Sequence, residues 1–302
     1  MSTLKHNKET ATSIHFKSND ESIEINEKDS EGIGFWIIEK ALSIPNVKVN
    51  RTEFLSYVLK DKVTPDVLEK AIKYGTAEAG IPLKIIRESA KKCISSTKKI
   101  STAESAATGV LGGPVGISTG IVADITQFYG NLIILIQKLV YLYGMKDLNS
   151  IDEIRNNNKN AAAFILLFIG AASGVRGLDQ VIKVITKSMT KQYAKQAGKL
   201  ILFAKPAFYS IAKKVAKSIG KGISKKGFAK VASKAVPVIG AGISAGLNWV
   251  TFTPMANRLN NILEESYNTS LDETLLNKVE EMVKDNDLNL EELSELDELK
   301  QE

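Results

Sequence analysis

The sequence predicts an all-α protein: a compact multi-helix bundle with glycine-rich apolar helices, behind a polar, disordered N-terminal tail. Three observations carry that expectation. Alternating runs of β-branched and aromatic residues bounded by turns are nearly absent. Apolar residues recur instead at three- and four-residue spacing, and residues that start and stop helices punctuate the runs. With 302 residues and 44% apolar side chains, the chain can bury a substantial core.

The elements are read in order. Residues 1–31 are rich in Lys, Asn, Ser, Asp and Glu, with too few apolar side chains to offset the entropy of ordering, and form the tail. Short helices are expected near 33–44, 51–60 and 65–74, the last opened by Thr64-Pro65-Asp66, a capping hydroxyl before a proline at the first helical position. Longer ones follow near 83–98, 116–143, 151–170, 177–197, 207–222 and 226–233, then 238–266 and an acidic pair at 271–285 and 289–300. Ser101 with Glu104, Ser150 with Glu153 and Ser270 with Glu273 fit capping boxes. Gly75, Gly144 and Gly198 stand where a left-handed C-terminal cap would sit. The body is therefore 32–267, followed by acidic helices at 268–302.

Charge is segregated along this body. The net +6 conceals fifteen cations and no acid between residues 180 and 263, against fourteen acids and three lysines between 264 and 302. Either the acidic helices neutralise the basic segment within the fold, or the basic segment meets an anionic partner. Within it, Lys183, Lys187, Lys191, Lys195 and Lys199 fall every fourth residue, and Lys213, Lys217, Lys221 and Lys225 repeat the pattern with Lys214 alongside. Opposite lie Ile182, Ile185, Met189 and Tyr193, then Phe208, Ile211, Val215 and Ile219. Two readings compete: basic amphipathic helices suited to anionic lipid, or a solvated lysine face over an ordinary core. The cations are lysines with few aromatics between them, which disfavours nucleic acid.

Residues 105–147 are the most distinctive stretch. Gly112, Gly116 and Gly120 recur every four residues, as do Gly109 and Gly113, a spacing that clears one helical face for close approach of another backbone. Pro114 places the helix after it. Asp124, Gln127, Asn131 and Lys138 then form a polar stripe on an otherwise apolar helix. A buried Asp124 needs a cation, for which Arg176 or a lysine of the basic segment qualifies, or a proton. The stripe is either a polar seam between core helices or a functional polar pocket. Residues 161–175 are more apolar but too short to span a bilayer, and are expected to be a buried core helix.

The run GGPVGISTGIVADI, with the apolar helix that follows it to Tyr143-Gly144, resembles the signature of the EcsC family. AVPVIGAGISAGLNWVTF at 235–252 is similar to the family's later Pro-Val-hydrophobic-Gly segment. The resemblance covers about residues 65–267. It implies a helical fold and a membrane connection, since the family is named for a bacterial gene associated with an ABC transporter, and it implies no agreed reaction. Gly112, Pro114, Gly116, Gly120, Asp124, Tyr143, Gly144, Pro237 and Gly240 are singled out as motif positions.

Enzyme signatures are sparse. Gly240, Gly242 and Gly246, with Glu264 downstream, imitate a dinucleotide-binding turn. The spacing is one residue too long, however, and Thr251-Phe252-Thr253-Pro254 is expected to break the helix that such a turn requires. The only histidines, His6 and His15, lie in the tail, and the single cysteine, Cys93, excludes an intramolecular disulfide and a multi-cysteine zinc site. No cofactor or metal is expected. The N-terminus lacks a basic region followed by an apolar core and cleavage site, so a cytoplasmic protein peripheral to the membrane is expected. The leading expectation is a non-enzymatic, membrane-associated accessory factor to a transport or envelope system, with anionic lipid and a membrane-protein or ABC-transporter partner. The alternatives are a membrane-inserting effector that self-assembles, and a lipid- or nucleotide-handling enzyme around Asp124.

Overall fold

The computed structural model describes residues 13–17, 22–26, 29–45, 47–108, 117–145, 158–188, 208–221 and 240–268, with parts of 274–281. The body is helical throughout these residues. Its helices are α1 (Ser30–Leu42), α2 (Arg51–Leu59), α3 (Pro65–Tyr74), α4 (Leu83–Thr108), α5 (Ile117–Leu142), α6 (Asn158–Ser173), α7 (Leu178–Ser188), α8 (208–221) and α9 (Gly240–Asn268). Ahead of them the segment expected as a featureless tail carries a β-hairpin, β1 (Ser13–Lys17) with β2 (Ser22–Asn26), in antiparallel register. The register sets Ile14 across from Ile25 and Phe16 across from Ile23. That period-two alternation is the strand signal, submerged in a polar composition.

The centre of the bundle is α4, α5 and α9, with α6 and α7 against α9, α1 across α5 and α6, and the α2–α3 pair beside α5. The second half of α5 is apolar around its whole circumference, from Leu132 and Ile133 to Leu142 and Tyr143, and is buried on all sides. Residues 161–172 of α6 are nearly as buried, as a core helix requires.

Local chemistry explains the boundaries. Asn50 accepts from the Glu53 amide at 3.1 Å and donates to Glu53 Oε1 at 3.0 Å, a reciprocal cap that opens α2. Pro65 opens α3 behind Thr64 as expected, although the Thr64 hydroxyl makes no capping bond. The α5 helix closes in a Schellman turn, Met145 N–H to Val140 O at 2.9 Å and Gly144 N–H to Tyr141 O at 3.2 Å, with Gly144 at φ 94°.

Two expectations are corrected. Ser101 and Glu104 do not start a helix; α4 runs through them to Thr108, because no glycine or proline interrupts residues 83–108 and a capping pair acts only where the chain leaves helical geometry. Nor does Pro254 break α9, which continues through it. Its ring is exposed, so the lost hydrogen bond costs about 3 kcal/mol, whereas the neighbouring Phe252, Met255 and Leu259 are buried at about 1.5–3 kcal/mol each and hold the helix in place. Ser150, Glu153, Gly198, Ser270, Glu273 and the helices expected at 226–233 and 289–300 lie outside the described residues.

Candidate functional site

Helix α8 is built as the sequence expects. Phe208, Ile211, Ala212, Val215 and Ala216 are buried in the bundle, while Tyr209, Lys217 and Lys221 are exposed and Lys213 and Lys214 are half-buried. The helix is set down close to the body, crossing α1 antiparallel at a seam of small residues. A Cβ placed on Gly34 would collide with the Ala216 carbonyl, and one on Gly220 with the Ser30 carbonyl. Glycine-mediated close packing thus occurs in this protein, although at a pair of helices other than the one the four-residue glycine repeat singled out. On the outer face, Lys213 Nζ lies 3.5 Å from Glu31 and 5.3 Å from the Tyr209 ring, and Tyr209 leans on Phe35 with ring centroids 6.0 Å apart. The result is a lysine row edged by an exposed tyrosine on a rigid mount, with its apolar face already occupied.

The earlier lysine row divides differently. Lys183, whose side chain is only 13% exposed, sits 2.7 Å from Glu265 and 3.8 Å from Asp179. Lys187 donates to the Tyr267 carbonyl at 3.2 Å, and burial lowers its pKa. Both cations are drawn inward to the last turn of α9, where the helix dipole and Glu265 receive them. They are therefore removed from the surface-facing set. Lys191, Lys195, Lys199 and Lys225 lie outside the described residues.

A second polar cluster joins α4, α5 and α9. The buried Tyr143 hydroxyl donates to Asn260 Oδ1 at 2.9 Å, and the Tyr143 ring meets Tyr267 edge-on with centroids 6.1 Å apart. Burial pushes the Tyr143 hydroxyl well above the ordinary tyrosine range, with the Glu264 carboxylate adding to the effect, and raises Tyr267 to about 12. Tyr267 donates to the Ile81 carbonyl at 2.8 Å. Arg87 grips Glu264 in a forked pair, with Nε 3.0 and 3.1 Å from the two carboxylate oxygens. Arg87 holds that carboxyl below its usual range, chiefly through the hydrogen bond. Glu264 is thus half of an interhelix clamp, and Gly240, Gly242 and Gly246 lie inside α9 with no turn among them, so the dinucleotide imitation dissolves.

Below this cluster, Gly144 abuts Gly75: a Cβ on Gly75 would lie 2.6 Å from the Gly144 carbonyl. Arg51 binds three carbonyls at these helix ends, Met145 through Nε (3.0 Å), Ile72 through Nη1 (2.5 Å) and Ala71 through Nη2 (3.1 Å), and the Thr76 hydroxyl caps Leu142 O at 2.7 Å. Tyr143 and Gly144 thereby acquire a structural account.

Of the remaining motif positions, Gly112, Pro114, Gly116 and Pro237 lie outside the described residues. Gly120 and Asp124 lie on α5 and Gly240 at the start of α9, with their surroundings outside the described set. Along the polar stripe, Asn131 is buried and Lys138 half-buried. Gln137, which sequence reading passed over, is the buried polar group that matters: it accepts from the Val49 amide at 3.1 Å and donates to Val47 O at 2.7 Å. No local signal reveals it, since its partners lie about ninety positions away.

Two further groups bear on chemistry. Lys62 Nζ donates to Ser89 Oγ at 2.5 Å, but Ser89 is wholly buried and its hydroxyl is closed to a substrate. Cys93 is buried, which pushes its thiol pKa up and leaves it inert. No family model, curated protein or solved structure matches this chain.

Proposed function

We propose that the protein is a non-enzymatic, membrane-associated helical protein that docks on an anionic lipid surface through the outer face of α8. The observation that carries this reading is the division of α8: lysines at 213, 214, 217 and 221 outward beside Tyr209, apolar residues locked inward. Such a face holds the headgroup layer by charge, with a tyrosine at the interface, and needs no apolar residue to leave the core. The resemblance of residues 105–147 and 235–252 to the EcsC family supports a place beside a membrane transport or envelope system on the cytoplasmic side.

The test is sedimentation with vesicles of phosphatidylcholine alone and with added phosphatidylglycerol, at low and high salt. The wild-type chain is compared with one carrying Lys213→Gln, Lys214→Gln, Lys217→Gln and Lys221→Gln. Salt-sensitive binding to the anionic vesicles, lost in the Gln chain, is the expected result. Binding that ignores salt and the four substitutions would sink the proposal.

A second reading, a membrane-inserting effector, is favoured by one observation. Ile125–Leu142 is long and apolar enough to cross a bilayer. Against it, 61% of that stretch is buried in the bundle, the pattern of a core helix. Release of an entrapped dye from the same vesicles would select this second reading.

A further inference from the structure

We propose that the acidic segment 282–302 lies on the lysine face of α8 and is displaced from it by anionic lipid, so that the chain carries its own competitor for the membrane. The intramolecular contact stands on charge and connectivity alone; the displacement rests on the membrane-surface reading above.

Charge complementarity is the first argument. Residues 282–302 contain eight acids and two lysines, and the basic stretch 180–263 contains no acid of its own. Glu291, Glu295, Glu298 and Glu302 recur at three- and four-residue spacing, matching Lys213, Lys217 and Lys221, so both rows repeat at about 6 Å along a helical face. The second argument is precedent within the fold. Where the acidic and basic stretches are both described they already meet, Glu265 with Lys183 at 2.7 Å and the Tyr267 carbonyl with Lys187 at 3.2 Å.

Connectivity is the third argument. After α9 the chain turns back onto the body, with Leu275 packed against the core and Val279 fully buried. The segment that follows Glu281 therefore starts at the surface of the body. Its twenty-one residues reach at most about 70 Å, against about 45 Å for the diameter of a 250-residue body, so the face of α8 is within range. Tethering at that length gives an effective concentration of about a millimolar, enough for a weak ionic contact to be occupied.

The experiment uses the full chain and zero-length carbodiimide cross-linking followed by peptide mapping. At low salt, amide bonds are expected between the carboxylates of 285–302 and Lys213, Lys214, Lys217 or Lys221. They should disappear at high salt and fall when phosphatidylglycerol vesicles are added. Cross-links confined to lysines elsewhere, or none at all, would overturn the contact. A chain carrying Glu291→Gln, Glu292→Gln, Glu295→Gln and Glu298→Gln should bind those vesicles about tenfold more tightly, since each charge released to the surface is worth about 1 kcal/mol and 1.4 kcal/mol is tenfold. Equal binding by the two chains would overturn the competition. If the cross-links form but neither chain binds vesicles, the membrane reading fails and the intramolecular contact survives it.

Discussion

The seam between α1 and α8 offers the sharpest test of how the basic face is held. Gly34 and Gly220 are both helical, so replacing either with alanine would gain about 1 kcal/mol of intrinsic helix propensity if nothing stood in the way. Each new methyl group would instead meet a backbone carbonyl, of Ala216 or of Ser30, and a backbone cannot swing aside as a side chain does. Separating the helices costs about 1–3 kcal/mol for each inserted methyl group, more where the contact is rigid, and exceeds the propensity gain. A net loss of about 1–2 kcal/mol is expected for Gly34→Ala and for Gly220→Ala, a fall in Tm of about 2–8 °C for a body of this size. Gly130→Ala on α5 is the control. Its Cβ would meet the terminal methyl of Ile44 at 2.9 Å, the movable end of a half-buried side chain, and the change should be near neutral. Thermal melts followed by circular dichroism read all three. If Gly34→Ala and Gly220→Ala melt no lower than Gly130→Ala, the close seam is refuted.

Arg51→Met should cost about 3–5 kcal/mol in urea unfolding, because three carbonyls at two helix ends lose their donor in a buried setting; a loss under 1 kcal/mol would show that water replaces it. Tyr143 and Tyr267 have raised pKa values in the fold, so the stability tied to their neutral forms is intact below the unfolded value near 10 and is lost as pH rises beyond it. Absorbance titration at 295 nm should show two of the eight tyrosines ionising late, and Tyr143→Phe should remove one of them. Glu264 has a lowered pKa, so its contribution is present above the unfolded value of about 4.3 and fades as pH falls through the folded one. Arg87→Gln should flatten that acid limb by less than about 1 kcal/mol, since the pair is partly solvated.

The helical body was legible because its signals are local. Pro65, Gly75 and Gly144 mark boundaries through backbone geometry that each residue carries by itself, and the apolar spacing of Phe208, Ile211 and Val215 shows which face of α8 turns inward. What escaped were features created by distant partners. Gln137 reads as an interruption of an apolar helix until Val47 and Val49 supply its hydrogen bonds. The seam at Gly34 and Gly220 has no repeat to announce it, because its small residues come one or two from each helix and become a pattern only when α1 and α8 cross. The lysine rows were legible as rows, but periodicity has no access to the ends of neighbouring helices. That Lys183 and Lys187 serve the last turn of α9, whereas Lys217 and Lys221 face outward, is a property of the packing.

The same packing decides how α8 would meet a bilayer. Extracting it would expose Phe208, Ile211 and Val215, at about 1.5–3 kcal/mol each, or roughly 5–9 kcal/mol before the smaller residues are counted. Four lysines brought to an anionic surface return about 4 kcal/mol in total. Electrostatic docking therefore falls short of what extraction requires, and α8 is expected to bind while still seated in the bundle. Amide hydrogen exchange distinguishes the two states, because a seated helix keeps its protection on vesicles and an extracted one exchanges through an opened intermediate. Protection across residues 208–221 should be unchanged or increased when phosphatidylglycerol vesicles are added. A loss of protection there, together with faster exchange at Gly34 and Ser30 on the facing helix, would mean that the seam opens on the membrane and that insertion, with its consequences for Ile125–Leu142, is the correct reading.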